Sequence, residues 1–286
     1  MLGLAVAKRP ARRMPPISSE PPSSSPGPGR VGVFFALTFL LTAPLWVLSG
    51  ASGLSLMPGL PIAGLAVVCP ALAAVILTWR ASGRARALVL LRRVFDAGRT
   101  PGAAPWLAVL LISPAAAVSA FLIGRLGGAA IPDPVFTLSG SLVLFAIFLV
   151  GGLAEELGWS GFALDPLQAR WGPLPAALAI GAVWSVWHYP ALIQADRSVV
   201  WIAWWTLGTM ALRVVMVWVF NITRGSVFAV AVLHAMSNLC WQLFPIRGSW
   251  FDPRVHGLLM AGVAIAVILA GQGRAHRAAA QARLSP

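Results

Sequence analysis

Residues 139–162 read SGSLVLFAIFLVGGLAEELGWSGF, a run that is apolar over most of its length. A helix needs about 17 to 25 such residues to cross the hydrocarbon core of a bilayer. Helices are the natural spanning form because lipid offers no partner to unpaired backbone groups. The segment therefore predicts a transmembrane helix.

Seven further segments have a similar length and composition. The predicted spans cover residues 31–49, 60–79, 104–124, 139–162, 173–195, 199–220, 226–245 and 256–272. We therefore expect an all-α membrane protein, a bundle of eight transmembrane helices with the lipid bilayer around it.

The composition excludes a cytosolic globular enzyme. Of 286 residues, 58% are hydrophobic and only 10% are charged, whereas a soluble domain carries about 25% charged residues. The 21 Lys and Arg outnumber the 8 Asp and Glu, but they lie mostly between apolar runs, where basic residues mark one side of a membrane. The basic balance therefore indicates topology, and we expect no nucleic-acid partner.

The basic residues are distributed unevenly among the loops. Sixteen lie in the two tails and in the second, fourth and sixth loops, four lie in the opposite loops, and Arg213 lies within a span. Because loops rich in Lys and Arg stay in the cytoplasm, we expect both termini to be cytoplasmic. The pattern is typical of a multi-pass protein of a bacterial-type plasma membrane.

The sequence indicates one membrane domain with two tails. Residues 1–30 are rich in proline and serine and predict a disordered cytoplasmic tail. Residues 31–272 form the polytopic domain, and residues 273–286 form a basic cytoplasmic tail. No apolar segment directly follows the first basic residues, so we expect the first span to be retained rather than cleaved as a signal peptide. Cys69 and Cys240 lie in apolar stretches and are predicted to be packing residues.

Two glutamates are the most unusual polar residues of the spans. Glu155 and Glu156 are neighbours near the end of span four, and a carboxylate at membrane depth costs about 2.5–3.5 kcal/mol. Either both are solvated at the interface or they have a function. Since consecutive helical positions point in different directions, the two carboxylates cannot approach one reacting atom equally. We expect one to be catalytic and the other supporting.

Two histidines lie in spans five and seven. His188 follows Trp184 by one turn, and it is either a structural residue or a site residue. If its helix begins at Pro173, His188 lies about 22 Å from that end, deeper than Glu155 unless the helix boundaries are displaced. His234 and Asn238 are spaced i, i+4 on one helix face. They are either contacts between helices or two donors for an oxyanion.

Taken together, these side chains could activate water and hold a tetrahedral intermediate. A glutamate with a nearby histidine can take a proton from water, and an imidazole with a carboxamide can stabilise the oxyanion that forms. The groups lie on separate predicted helices between residues 139 and 245. We therefore expect any chemistry to be located in this part of the chain.

The segments EELGWSGFALDPLQARWGPLPAALAIGAVWSVWHYPALI and NITRGSVFAVAVLHAMSNL carry a family resemblance. They resemble the CPBP family of intramembrane endopeptidases, also called the CAAX protease and bacteriocin-processing or Abi family, whose eukaryotic member is the Rce1-type prenyl protease. The family pattern is EExxxR, FxxxH and HxxxN on a bundle of eight helices. The resemblance covers residues 139–245.

The resemblance implies a role for each matched residue. Glu155 would be the catalytic glutamate that activates water with His188, and Glu156 would be its neighbour in the motif. His234 and Asn238 would steady the oxyanion. Similar proteins have been described as metalloproteases and as metal-independent glutamate proteases. We favour no cofactor, but a divalent metal such as zinc would have Glu155, His188 and His234 as its ligands.

Two positions depart from the family pattern. Ser160 stands where the motif has arginine, and a serine cannot neutralise a carboxylate as a guanidinium does. We therefore predict that Arg213, the one basic residue within a span, pairs with Glu156. Trp184 stands where phenylalanine is usual, an exchange of aromatic packing residues that we expect to matter little.

The resemblance implies an endopeptidase of the CAAX-processing type that acts on a membrane-associated or lipidated protein or peptide. Ser160 keeps open a second class, a catalytically impaired family member that acts as a membrane partner-binding or immunity protein. A third class is a proton-coupled transporter, which uses buried acids and histidines as a relay. The sequence does not predict the physiological substrate or the oligomeric state.

Overall fold

The computed structural model describes the backbone of residues 28–57 and 59–284 and the side chains of residues 29–57 and 59–271. The tail predicted over residues 1–30 lies, up to residue 27, outside the described residues. The predicted basic tail is described in its backbone alone, which is helical to Leu284. Across the described ranges the chain is almost entirely helical, which confirms the predicted all-α membrane bundle.

The described chain contains nine α-helices and a few shorter elements. The helices are α1 (Pro28–Ser52), α2 (Cys69–Arg92), α3 (Ala104–Leu126), α4 (Leu138–Gly158), α5 (Asp165–Trp171), α6 (Pro173–Gln194), α7 (Val199–Ile222), α8 (Val227–Leu243) and α9 (Pro253–Leu284). The shorter elements are the antiparallel strands β1 (Ser55–Met57) and β2 (Leu60–Pro61), the 3-10 helices Ile62–Val68 and Arg93–Arg99, and the π-helix Trp159–Leu164. Among the described residues, seven helical runs are long and apolar enough to span a membrane, and α8 is a shorter apolar helix of 17 residues.

Hydroxyl caps and prolines set several helix starts. The side chains of Thr137, Ser198 and Ser226 each accept a hydrogen bond from a backbone N–H in the first turn of α4, α7 and α8. Proline opens α6, where its missing N–H costs no helical hydrogen bond. Gly172, with φ of 80°, supplies the left-handed residue between α5 and α6.

The helical run that carries the two glutamates is longer than predicted. α4 continues through the π-helix into α5 and forms one run, Leu138–Trp171, of 34 residues. Glu155 therefore lies sixteen residues before the end of this run, and His188 lies fifteen residues after the start of α6. At about 1.5 Å per residue, the two are nearly the same distance from the turn at Gly172. The predicted difference in depth came from ending span four too early.

The second loop of the sequence prediction is also helical. α2 extends to Arg92 with a break at Gly83, and the 3-10 helix Arg93–Arg99 follows. Arg93 donates to the backbone carbonyl of Gly161 in the π-helix at 2.8 Å. Asp96 accepts hydrogen bonds from the first two backbone N–H groups of α8 at 3.1 and 3.0 Å. A carboxylate is favourable there because these N–H groups have no partner within the helix.

Close helix contacts hold α4 in the centre of the site region. A Cβ atom added to Gly152 would lie 3.0 Å from the carbonyl oxygen of Ala231 in α8. One added to Gly158 would lie 2.7 Å from the carbonyl oxygen of Pro70 in α2. Small residues at such interfaces let backbones approach closely in membrane proteins. These contacts bring the end of α4 against both neighbouring helices.

Candidate active site

Glu156 is a fully buried carboxylate that is satisfied on all sides. The guanidinium of Arg213 in α7 donates to both its oxygens, at 2.8 and 2.9 Å. The hydroxyl of Ser160 donates to Oε2, and Nδ1 of His234 lies 3.2 Å from Oε1. Such a bidentate pair neutralises the carboxylate and fixes its orientation. The chemistry of Glu156 is therefore that of an anchor between α4, α7 and α8.

The predicted pairing of Arg213 with Glu156 is confirmed. The guanidinium that the family motif places one turn after the glutamates comes here from α7. Ser160, at the motif position, is buried and adds a hydroxyl donor to the same carboxylate. The arginine also lies 4.3 Å above the ring of Trp184, a cation–π contact. Arg213 of α7 thus supplies the guanidinium that the motif position, Ser160, lacks.

Glu155 has a different environment from its neighbour. It is only 3% exposed, and its Oε2 accepts hydrogen bonds from two indole N–H groups, that of Trp184 at 2.7 Å and that of Trp159 at 3.4 Å. Within the described residues no cation pairs with it. Its Oε1 takes no hydrogen bond there and is not sealed from solvent. This oxygen can therefore accept a proton from a water molecule.

The ring of Trp184 contacts nearly every group of the site. Its N–H binds Glu155, and its edge meets the imidazoles of His188 and His234 at centroid distances of 5.3 and 5.2 Å. Arg213 covers its face. The expectation that tryptophan at this position acts as an aromatic packing residue alone is wrong, because a phenyl ring has no N–H to donate.

His188 is half-buried in an aromatic pocket. Trp187 and Trp205 stand beside Trp184 around its ring, at centroid distances of 4.8 and 5.4 Å. Nδ1 lies 2.8 Å from the carbonyl oxygen of Trp184. Since a carbonyl only accepts, Nδ1 carries the proton, and Nε2 of the neutral ring keeps its lone pair. Glu155 and His188 therefore bind the same residue, Trp184, through its indole N–H and its backbone carbonyl.

His234 and Asn238 follow each other by one turn on α8. His234 is buried, and its Nδ1 faces Glu156, so the carboxylate orients the ring. In the neutral ring this leaves a lone pair on Nε2, and Nε2 donates only when the ring is charged. Asn238 is half-buried, and its carboxamide has no hydrogen-bond partner within the described residues. Its donor is thus available to a ligand.

The possible metal ligands are not assembled into a metal-binding group. Glu155, His188 and His234 all lie in this region, but among the described residues no three His, Cys, Asp or Glu side chains are arranged to hold an ion. Nδ1 of His188 and of His234 is engaged by a carbonyl and by a carboxylate, so Nε2 is the nitrogen of each ring that could bind an ion.

The sequence-based prediction missed the two indole donors. Trp159 and Trp184 both occupy apolar runs, where tryptophan is usually a packing residue. One signal for Trp184 was present, since it precedes His188 by four residues and therefore shares its helix face. Trp159 has the same spacing from Glu155. In each case the hydrogen bond depends on side-chain placement that spacing alone does not give.

Comparisons with known proteins match this region. Residues 137–240 match the family model described as type II CAAX prenyl endopeptidase Rce1-like. A protein of Methanococcus maripaludis named CAAX prenyl protease 2 is 27% identical over 154 residues, which cover 48% of this chain and 56% of the relative. The chain thus spans about half the length of the curated relative that it matches.

The matched region contains all the residues of the site. Glu155, Glu156, His188, His234 and Asn238 fall within residues 137–240, together with Arg213. The three motifs occur in the family order, and their side chains meet around Trp184 in one buried region between α4, α6, α7 and α8. Over this region the chain is similar to the type II CAAX prenyl endopeptidase Rce1-like family and to a CAAX prenyl protease.

Proposed function

We propose that this chain is an intramembrane endopeptidase in which Glu155 and His188 activate a water molecule. The observation that carries the proposal is the contrast between two adjacent buried carboxylates. Glu156 is held by a guanidinium, an imidazole and a hydroxyl, whereas Glu155 is held by two neutral indole donors. A carboxylate without a cationic partner is the better proton acceptor, so Glu155 is the general base.

The water is held between α4, which carries Glu155, and α6, which carries His188. It donates one hydrogen to Oε1 of Glu155 and the other to Nε2 of His188, whose lone pair is set by the hydrogen bond from Nδ1 to Trp184. Glu155 takes the proton as the water oxygen attacks the peptide carbonyl. The C–N bond then breaks, and Glu155 returns the proton to the departing amine.

The oxyanion of the intermediate is stabilised from α8. Nδ2 of Asn238 donates directly, and His234 donates from Nε2 when its ring is charged. Oε1 of Glu156, which lies 3.2 Å from Nδ1, holds this ring in its orientation. The anchor glutamate thereby supports the oxyanion site without touching the substrate.

The substrate class follows from the relatives and from the position of the site. The matching family model is described as a CAAX prenyl endopeptidase, and the relative from Methanococcus maripaludis is named a CAAX prenyl protease. The site is buried among helices long and apolar enough to span a membrane. We therefore propose a lipidated or membrane-associated protein or peptide as the substrate.

The proposal is tested by a cleavage assay on the whole chain in lipid nanodiscs. Synthetic peptides with a prenylated CAAX terminus and with a bacteriocin-type leader serve as candidate substrates, and products are read by mass spectrometry. Glu155→Gln is expected to lower the turnover about 10²–10⁴-fold because it removes the general base. The matched control is Asp196→Asn, an exposed acid at a left-handed position that asparagine tolerates. Equal cleavage by the parent and Glu155→Gln contradicts the proposal.

Metal dependence is a separate test of the same mechanism. Dialysis against a strong chelator such as 1,10-phenanthroline is expected to leave the cleavage rate of the parent chain unchanged, since the proposed base needs no metal. The control is a zinc peptidase inhibited in the same nanodisc buffer. Loss of cleavage that added zinc restores would require a metal-dependent mechanism for this chain.

Among the described residues, no structural feature favours the two other classes. Ser160 was the ground for an impaired family member, and Arg213 removes this ground by supplying the guanidinium from α7. A proton relay needs a chain of ionisable groups across the bundle. The buried acids and histidines described here instead meet in one cluster around Trp184.

A further inference from the structure

A cavity outside the proposed active site lies between α3, α7, α8 and α9, at the end of the bundle where α6 and α8 end. Its volume is about 510 Å³, within the roughly 300–1,000 Å³ of ordinary ligand sites. The walls are mainly aromatic and apolar, with Trp201, Trp204 and Trp241 prominent among them. None of the residues proposed for catalysis lines it.

A smaller chamber of about 240 Å³ adjoins this cavity and shares four of its aromatic residues. Its lining includes Arg197, in the turn between α6 and α7, and Arg247, in the turn between α8 and α9. Within the described residues neither guanidinium has an acidic partner or a side-chain hydrogen bond. Arg197 stacks on Trp201 at 4.8 Å, which fixes its position.

Two buried polar atoms in the same lining have no partner among the described side chains and backbone. They are Nε1 of Trp241, which is a donor, and Oε1 of Gln242, which is an acceptor. Gln242 is only 5% exposed. An unpaired buried polar group costs free energy comparable to a lost hydrogen bond, so these atoms indicate a ligand that brings both an acceptor and a donor.

The cavity and the chamber thus combine an apolar pocket with a cationic mouth. The one carboxylate in the lining, Asp252, is already paired with Arg254 at 2.9 Å. Both arginines of the chamber lie in turns between membrane helices, which is where lipid headgroups meet a protein. The apolar pocket continues from there along the helices.

We propose that this site binds an anionic phospholipid with a hydroxyl-bearing headgroup, of the phosphatidylglycerol class. The phosphate lies between Arg197 and Arg247 and accepts the indole N–H of Trp241. A headgroup hydroxyl donates to Oε1 of Gln242, and one acyl chain fills the aromatic cavity. The donor and acceptor left unpaired in the lining are then both satisfied.

The test is a titration of the purified full-length chain by native mass spectrometry. The probes are phosphatidylglycerol, phosphatidic acid, phosphatidylcholine and soluble glycerol 3-phosphate. One phosphatidylglycerol is expected to bind at least about tenfold more tightly than phosphatidylcholine, because the choline ammonium places a further positive charge beside the two arginines and has no hydroxyl to donate. Equal binding of both lipids overturns the proposal. Equal binding of glycerol 3-phosphate shows a site for a soluble phosphate and also overturns it.

Variants distinguish lipid binding at this site from the general attraction of anionic lipids to basic loops. The double variant Arg197→Gln/Arg247→Gln is expected to lose the preference, whereas Arg84→Gln/Arg86→Gln, at exposed arginines of α2, is expected to keep it. Equal losses in the two double variants overturn the proposal.

Two further variants test the pocket and the headgroup contact. Ala120→Phe fills the cavity and is expected to weaken all lipid binding there. The parent chain is expected to bind phosphatidylglycerol more tightly than phosphatidic acid, which has no glycerol headgroup, and Gln242→Leu is expected to remove this advantage. Unchanged binding in Ala120→Phe, or an unchanged advantage in Gln242→Leu, contradicts the proposal. Thermal unfolding of each variant shows whether it is folded.

Discussion

Trp184 has an indole N–H group that the phenylalanine of the family pattern lacks, and the site uses that group. The indole donates to Glu155 at 2.7 Å, and its backbone carbonyl sets the tautomer of His188. The residue therefore holds both parts of the proposed water-activating pair. It acts through them, as a positioning residue.

Trp184→Phe keeps an aromatic ring at this position and removes the donor. We expect turnover to fall about tenfold or more, since a hydrogen bond to a charged group contributes about 1.5–3 kcal/mol. The KM for a peptide substrate is expected to change little, because the indole donor binds Glu155 and not the substrate. Steady-state kinetics of the variant in nanodiscs provide the measurement.

The control is Trp218→Phe, which removes a buried indole N–H that has no partner among the described residues. This variant is expected to keep the turnover of the parent. A similar fall in both variants would mean that loss of a tryptophan ring system, and not of the donor to Glu155, affects the enzyme.

For the individual residues, the sequence predicted which ionisable side chains lie together but not the hydrogen bonds that position them. Glu155, Glu156, His188 and His234 were predicted from spacing and resemblance, and the pairing of Glu156 with Arg213 followed because a buried charge needs a partner. The indole donors and the orientation of His234 depend on tertiary placement. Residue spacing along one helix does not specify that placement.

The elements most important to the site are α4, α7 and α8, which Glu156 joins. Arg213→Met leaves the carboxylate without its cation, and we expect the free energy of unfolding to fall by about 3–5 kcal/mol. The double variant Ser160→Arg/Arg213→Ser returns the guanidinium to the motif position, one turn from Glu156. We expect the double variant to be more stable than Arg213→Met and to have a higher turnover.

Equilibrium unfolding in mild detergent and the cleavage assay measure both quantities. A double variant with the same stability and turnover as Arg213→Met would show that a guanidinium at position 160 cannot replace the one on α7. A single variant as stable as the parent would show that the ion pair does not hold the helices together.

The contact of α4 with α8 is tested by two adjacent glycines. Gly152→Ala places a Cβ atom 3.0 Å from the carbonyl oxygen of Ala231, whereas Gly151→Ala meets Val67 at an ordinary 3.8 Å. We expect Gly152→Ala to lower both the melting temperature and the turnover, because it pushes His234 away from Glu156. Gly151→Ala, which makes the same chemical change on the same helix, is expected to be neutral. Equal effects in the two variants would contradict this account of the interface.

Hydropathy predicted the helices well and their ends less well. Among the described residues, the eight predicted segments correspond to seven helical runs long and apolar enough to span a membrane and to the shorter apolar helix α8. The run Leu138–Trp171 was predicted to end at 162, since polar residues follow there. The π-helix and α5 continue it because the carboxylates are satisfied by protein rather than by water. The strands β1 and β2 were missed because they contain only five residues.

The arrangement of the whole chain across the membrane is a prediction from charge. With sixteen basic residues on one side and four on the other, we expect both termini to face the cytoplasm. Fusion of a fluorescent protein to the C-terminus is expected to be bright in a bacterial host, and fusion of alkaline phosphatase at the same point is expected to be inactive. The reverse result would invert the bundle and place the lipid cavity on the cytoplasmic side.

The two glutamates allow one comparison on which the whole account depends. The turnover and the free energy of unfolding are measured for Glu155→Gln and Glu156→Gln in the same nanodiscs. We predict that Glu155→Gln keeps the stability of the parent and loses its turnover, whereas Glu156→Gln loses stability because Arg213 is left buried without a counter-charge. Parental turnover in Glu155→Gln, or parental stability in Glu156→Gln, would contradict the assignment of one carboxylate to catalysis and the other to structure.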